Sequence, residues 1–273
     1  MSVQRWKIGV FDSGFGGLTV LRALLRRLPE ADYLYLGDTA RLPYGSKSRE
    51  TIVRYALSST RFLIDQGADF LVIACNTASA LAFDAIRAAS PVPVLGVIET
   101  GADEARRSSR TGDILVIGTA ATIESHAYAA ACRERGLRAL EKACPLLVPL
   151  VEEGWLDHPV TREVVRIYMD ELLGQARQSD SHPDVLVLGC THYPLLRPAI
   201  EAAAAAGLRV LDSAEATAAE AVRRLKSAES APRSVTPGQR RFFATDSIAK
   251  FQSLGARFLE SPVEDIVLVD LGG

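Results

Sequence analysis

Two cysteines, Cys75 and Cys190, stand in matching surroundings in a chain of 273 residues. The segment Asp69-Phe-Leu-Val-Ile-Ala-Cys75-Asn-Thr77 can be laid on Asp184-Val-Leu-Val-Leu-Gly-Cys190-Thr-His192 at a constant offset of 115 positions. Each is an apolar run that ends in a thiol followed by small polar residues. A single free cysteine is ordinarily a buried small hydrophobe. Two at corresponding places in two similar segments are harder to explain by packing. The thiolate is the reactive form, and backbone N–H groups at a helix start favour it, so lowered thiol pKa values are expected at both. Redox exchange ordinarily uses a CxxC pair, which this chain lacks. Another chemistry that suits two thiols is removal of a proton from one face of a carbon and its return on the other. One thiolate and one thiol then exchange roles, and the stereocentre inverts.

Several neighbours fit that chemistry. The turn Asp12-Ser13-Gly14-Phe15-Gly16-Gly17 follows an apolar run and opens a helical one. It is not a dinucleotide fingerprint, because Thr19 occupies the place of the third glycine in GxGxxG. It reads either as a tight strand-to-helix turn or as an anion cradle of backbone N–H groups. Asp12 is out of place beside an anion and suits an ammonium group or the tuning of a nearby thiol. Pro43-Tyr44-Gly45-Ser46, after Gly37-Asp38-Thr39, is a polar loop with turn chemistry. His192 lies two residues beyond Cys190 and can handle a proton there. Glu152, in Val148-Pro-Leu-Val-Glu-Glu-Gly154, follows an apolar run and reads as readily as a solvated helix start as a functional carboxylate. His126, His158 and His182 have no supporting context and read as surface residues. None of the lysines (Lys7, Lys47, Lys142, Lys226, Lys250) sits in a setting that suggests a pyridoxal phosphate Schiff base. The remaining cysteines, Cys132 and Cys144, form no zinc-ligand spacing with histidine. No cofactor and no metal are expected.

The elements that must position these residues alternate in type. Strands are expected at residues 7–11, 33–36, 70–74 and 92–97, with helices at 18–28, 49–66 and 79–89. The pattern then begins again. Strands are expected at 114–117, 146–148 and 185–188, and helices at 125–135, 162–175 and 198–206. Near-continuous Val/Ile/Leu runs between helices indicate parallel sheets covered on both faces. A last section holds a strand at 209–211, an Ala-rich helix, a polar Ser/Pro stretch over 227–239, a strand at 241–244, a helix near 248–254 and a strand at 266–271. It is too small for its own core and is expected to pack back on the first half. The reading is therefore α/β, with two similar, pseudo-twofold-related domains: residues 1–97 plus 208–273 carrying Cys75, and residues 98–207 carrying Cys190. In doubly wound sheets ligands bind at the carboxyl ends of the strands, so the two thiols are expected to face one another across an interdomain cleft.

Composition narrows the partners. Lys plus Arg number 31 and Asp plus Glu 33, a formal net charge of −2, with no basic excess for nucleic acid. No stretch approaches the roughly 18 apolar residues of a membrane span, and the N-terminus leads directly into a strand-like run rather than a signal-peptide core. A soluble cytoplasmic protein with reduced thiols is expected. A homodimer is compatible with this composition but not specified by it.

Taken together, Asp12-Ser13-Gly14-x-Gly16-Gly17, Gly37-Asp38-Thr39-Ala40-Arg41-x-Pro43-Tyr44-Gly45, Ala74-Cys75-Asn76-Thr77-Ala78, Gly118-Thr119-x-Ala121-Thr122, Pro149-Leu-Val-Glu152 and Gly189-Cys190-Thr191-His192-Tyr193-Pro194 resemble the glutamate racemases. The last motif separates that group from the aspartate and hydantoin racemases. At Ser125-His126-Ala127-Tyr128 the chain departs from the pattern, where a residue smaller than His126 is expected. The resemblance implies interconversion of L- and D-glutamate without cofactor, supplying D-glutamate for peptidoglycan. It implies that Cys75 takes the α-proton of D-glutamate and Cys190 that of L-glutamate. Asp12 would assist Cys75, His192 would assist Cys190, and Glu152 would be the third auxiliary. Asp12, Ser13, Asn76, Thr77, Thr119, Thr122, Thr191 and His192 would bind the amino and carboxylate groups. The Pro43-Tyr44-Gly45 turn would hold the side-chain carboxylate through backbone N–H groups. Aspartate racemisation, or amino-acid binding without turnover, are the alternatives.

Overall fold

Buried apolar runs form the centre of two separate sheets. The structure, a computed structural model, describes residues 5–227 and 236–272. Most of the polar stretch expected at 227–239 therefore lies outside the described residues. The chain divides into two compact units, one made of residues up to Val97 and from Ala214 onward, the other of Ile98–Ser213.

In the first unit, β1 (Lys7–Asp12), α1 (Leu18–Arg27), β2 (Asp32–Gly37), α2 (Arg49–Asp65), β3 (Phe70–Ile73), α3 (Asn76–Leu81), α4 (Phe83–Ala89) and β4 (Val94–Gly96) follow in order, and α5 (Val97–Ser108) leads out. The second unit runs β5 (Asp113–Gly118), α6 (Ala120–Glu124), α7 (Ala127–Glu134), β6 (Arg138–Ala143), α8 (Leu147–Glu152), α9 (Pro159–Gln178), β7 (Val185–Gly189), α10 (Arg197–Ala203) and β8 (Arg209–Asp212). Then α11 (Ser213–Ser227), β9 (Arg240–Ala244), α12 (Ile248–Leu259) and β10 (Ile266–Leu268) complete the first unit.

Every strand pairing is parallel. The sheet orders are β10-β9-β2-β1-β3-β4 and β6-β5-β7-β8. Each sheet therefore contains the same four-strand arrangement, with the first strand of the unit between the second and the third. Successive crossovers leave that first strand in opposite directions. The crevice at the carboxyl ends, between β1 and β3 and between β5 and β7, is where such sheets bind ligands. The central strands are buried on both faces, as parallel sheets require: Ile8, Val10, Phe11, Leu71, Val72, Ile73, Ile114, Leu115 and Val116 have no exposed surface. Among the described residues no helix is long and apolar enough to cross a membrane.

The structure corrects several sequence expectations. The strand expected at 146–148 is the start of helix α8, and the strand of that unit is β6, with the sequence Arg-Ala-Leu-Glu-Lys-Ala. As an edge strand paired with β5, β6 carries charged side chains that have partners. Arg138 holds Asp113 at 2.8 Å, and Glu141 accepts from the Ala129 N–H at 3.1 Å. Helix α5 replaces the end of the strand expected at 92–97. The helix expected at 125–135 is interrupted by His126, whose φ of 53° puts it in the left-handed region and whose Nδ1 lies 2.8 Å from Glu141. The chain's return, expected near Leu208, comes later. β8 pairs with β7, so residues 209–212 complete the second sheet before α11 begins.

Candidate active site

Each sheet places one thiol at its switch point, and each thiol has its own polar company. In the first unit Asp12 is the last residue of β1, and Cys75 follows β3 across the Ala74 N–H, which donates to the Phe11 carbonyl at 2.8 Å. Asp12 is fully buried, and its Oδ2 accepts from the Gly14 N–H at 2.9 Å. Gly17 must lack a side chain, because a Cβ there would meet Asp12 Cβ at 2.5 Å and Ala74 Cβ at 2.9 Å. The glycine turn thus lets a helix start directly over the carboxylate. Cys75 caps α3: its sulfur accepts from the Ala78 N–H at 3.4 Å and lies 3.5 Å from Ser13 Oγ. Asn76 and Thr77, the first residues of α3, are buried beside it.

The expected lowering of the Cys75 pKa is overturned. Burial, with the Asp12 charge second, pushes the thiol up to about 12, against the hydrogen bonds from Ser13 and Ala78. A six-residue helix cannot offset removal from water and a carboxylate neighbour together. Burial and the Asp12 charge therefore favour the neutral thiol at Cys75. Asp12→Asn removes a charge that disfavours the thiolate, so the pH midpoint for alkylation of Cys75 by iodoacetamide shifts downward. Peptide mass spectrometry in a Cys190→Ser background reads this, and an unchanged or higher midpoint would show that the Asp12 charge is not a cause.

The turn at Pro43, Tyr44 and Gly45 also belongs to the first unit. Residues Tyr44–Ser46 form one turn of 3₁₀ helix, and the Leu42–Pro43 peptide is cis. Tyr44 is buried, its ring 6.2 Å from Phe11 and 5.9 Å from Tyr55, and its hydroxyl donates to Asp38. Burial and the Asp38 carboxylate, with a smaller contribution from Cys75, raise the phenol far above its ordinary pKa, so it stays a donor.

In the second unit Thr119 follows β5 and caps α6, accepting from the Thr122 N–H at 3.3 Å with the two hydroxyl oxygens 2.9 Å apart. Cys190 follows β7 and is buried with Thr191 and His192. His192 bridges two groups: its Nδ1 lies 4.0 Å from Cys190 Sγ and its Nε2 3.3 Å from Glu152 Oε1. Glu152, 40 residues earlier in the chain, is brought there as the last residue of α8. The Tyr193 hydroxyl donates to the Cys144 carbonyl at 2.8 Å and fixes the turn that carries this group. A thiol, an imidazole and a carboxylate in series can move a proton between sulfur and solvent.

Cys132 and Cys144 are buried thiols pushed up to about 12, chiefly by burial, which makes them inert packing groups. Among the described residues no cluster of three or more His, Cys, Asp or Glu could hold a metal ion. Sequence reasoning left Asp38 and Thr245 without a role. Asp38 was visible inside a motif, whereas nothing near Thr245 marked it.

Comparison with known proteins gives consistent results. Residues 8–221 match the sequence model of the Asp/Glu/hydantoin racemase family. The chain is 52% identical to a glutamate racemase of Koribacter versatilis over 100% of both chains. It is 48% identical to a glutamate racemase of Syntrophus aciditrophicus over 97% of this chain and 96% of the relative. The crystal structure of glutamate racemase from Francisella tularensis in complex with D-glutamate is similar with a TM-score of 0.89 and 34% identity, covering 98% of each chain.

Proposed function

The chain belongs to the Asp/Glu/hydantoin racemase family, and on that premise we propose that Cys75 and Cys190 are the two bases of a cofactor-independent interconversion of L- and D-glutamate. What carries this reading is the placement of one buried thiol at the same point of the four-strand arrangement that both sheets share, each with different proton-handling partners. With L-glutamate, the Cys190 thiolate takes the α-proton while the electron pair passes into the adjoining carboxylate. The Cys75 thiol then gives its proton to the opposite face, leaving D-glutamate, a Cys75 thiolate and a Cys190 thiol. With D-glutamate the roles reverse.

The partners fit the two directions. Asp12 suits the substrate ammonium group, and that cation cancels the charge that helps to keep Cys75 protonated. His192, oriented by Glu152, exchanges the Cys190 proton. Ser13, Asn76, Thr77, Thr119, Thr122 and Thr191 supply hydroxyl, amide and backbone donors for the α-carboxylate, where charge develops in the transition state. Tyr44 and Gly45, with Pro43 setting the turn, offer backbone donors to the side-chain carboxylate. We place the enzyme in the cytoplasm, where its product enters peptidoglycan synthesis.

Circular dichroism of enantiopure glutamate tests the reading. The signal decays to zero with either enantiomer and no added cofactor, while aspartate incubated in parallel keeps its signal. A stable glutamate signal would refute the reading.

A further inference from the structure

The buried carboxylate of Asp38 joins three chain segments beside the Tyr44 turn. Asp38 directly follows β2, has no exposed surface, and its backbone N–H donates to the Asp12 carbonyl at 3.0 Å. Its Oδ1 accepts from Arg41 Nε at 2.9 Å and from the Thr245 hydroxyl at 3.0 Å, and its Oδ2 accepts from the Tyr44 hydroxyl. Arg41 is itself held, with its Nη1 3.1 Å from Ser58 Oγ and its guanidinium 4.5 Å from the Tyr55 ring centre.

Thr245 comes from the segment that returns after the second unit, directly beyond β9. It is stitched to the loop at further points. The Ala40 N–H donates to Thr245 Oγ1 at 2.9 Å, the Thr39 hydroxyl donates to the Asp246 carbonyl at 2.6 Å, and the Asp246 N–H donates to Thr39 Oγ1 at 2.8 Å. A turn of irregular backbone has little rigidity of its own, and buried hydrogen bonds from separate parts of the chain restrict it. A charged acceptor with three donors also resists rearrangement, since losing one leaves it under-solvated.

We infer that Asp38 and Thr245 are positioning residues for the substrate side-chain carboxylate: the returning segment fastens the turn at Tyr44 and Gly45 so that its backbone N–H groups are preorganised to receive that group. This inference rests on the racemase reading and assigns to β9 a part in substrate binding that goes beyond completing a sheet. Neither residue touches substrate. The loss of either acts through the turn, so it weakens binding of both enantiomers rather than the proton transfers at the thiols.

Steady-state kinetics of Thr245→Val, Thr245→Ser and Tyr44→Phe test this. Valine keeps the volume of Thr245 and removes both its donor to Asp38 and its acceptor for Ala40, whereas serine keeps both. The expected result is a KM for L- and D-glutamate raised about tenfold in Thr245→Val with kcat within about twofold, and wild-type constants in Thr245→Ser. Tyr44→Phe, which removes only the hydroxyl at the other end of the Asp38 carboxylate, gives the same KM-specific change and decides the matter if the valine variant does not fold. A purely structural role for Thr245 would lower the active fraction, and so the apparent kcat, at constant KM. Unchanged KM in the variants beside an active wild type overturns the inference, whereas an inactive wild type overturns the racemase reading instead.

Discussion

Cys75→Ser and Cys190→Ser each lower the racemisation rate by at least about 10³-fold in both directions. A serine hydroxyl is a far poorer acid and base than a thiol, and each turnover uses both sulfurs, one to accept and one to donate. Loss of either therefore stops inversion, whichever enantiomer is supplied. The two variants are expected to keep the fold, because oxygen for sulfur is a small change, and at Cys75, which caps α3, serine fills the cap well. Substrate-dependent ultraviolet difference or calorimetric binding of glutamate persists in both while the dichroism signal of either enantiomer stays constant. Retention of more than about a tenth of wild-type turnover in either variant would remove that cysteine from the mechanism.

The second large effect falls on His192. Its two nitrogens span Cys190 and Glu152, so His192→Asn breaks the series at its middle member. The expected loss is on the order of 10²-fold, in the range of a single acid–base group. Glu152→Gln keeps a polar neighbour of the same size beside the imidazole but removes its charge, and costs less, about tenfold. Because both act on one proton path, the double variant is no slower than His192→Asn alone. Racemisation has an equilibrium constant of one, so kcat/KM must fall equally in both directions. The asymmetry lies instead in isotope exchange: washout of the α-proton of L-glutamate slows more than that of D-glutamate. Additive losses in the double variant would place Glu152 outside the path.

Much of this arrangement was legible in the chain because parallel strands buried on both faces write themselves as unbroken apolar runs. Ile8–Phe11, Phe70–Ile73, Ile114–Ile117 and Val185–Leu188 are such runs, and the residues that end them are the ones at the switch points. The edge strand β6 left no such mark, since Arg138, Glu141 and Lys142 interrupt its apolar residues. That omission shifted the neighbouring expectation and turned the start of α8 into a strand. The state of Cys75 was misjudged for a different reason. A helix start is a local feature, but burial and the charge of Asp12, 63 residues earlier, are tertiary and outweigh it. Likewise the four hydrogen bonds between residues 38–40 and 245–246 join positions 207 or 205 apart and have no signature along the chain.

The most direct test of one base per face is deuterium incorporation at the α-carbon of each pure enantiomer in deuterated water, catalysed by the two serine variants. A thiolate that removes a proton, exchanges it with solvent and returns deuterium to the same face labels its own enantiomer without inverting it. Cys75→Ser should label L-glutamate through Cys190 and leave D-glutamate unlabelled, and Cys190→Ser should do the reverse. Labelling of both enantiomers at equal rates by both variants would contradict the assignment of Cys75 to D-glutamate and Cys190 to L-glutamate.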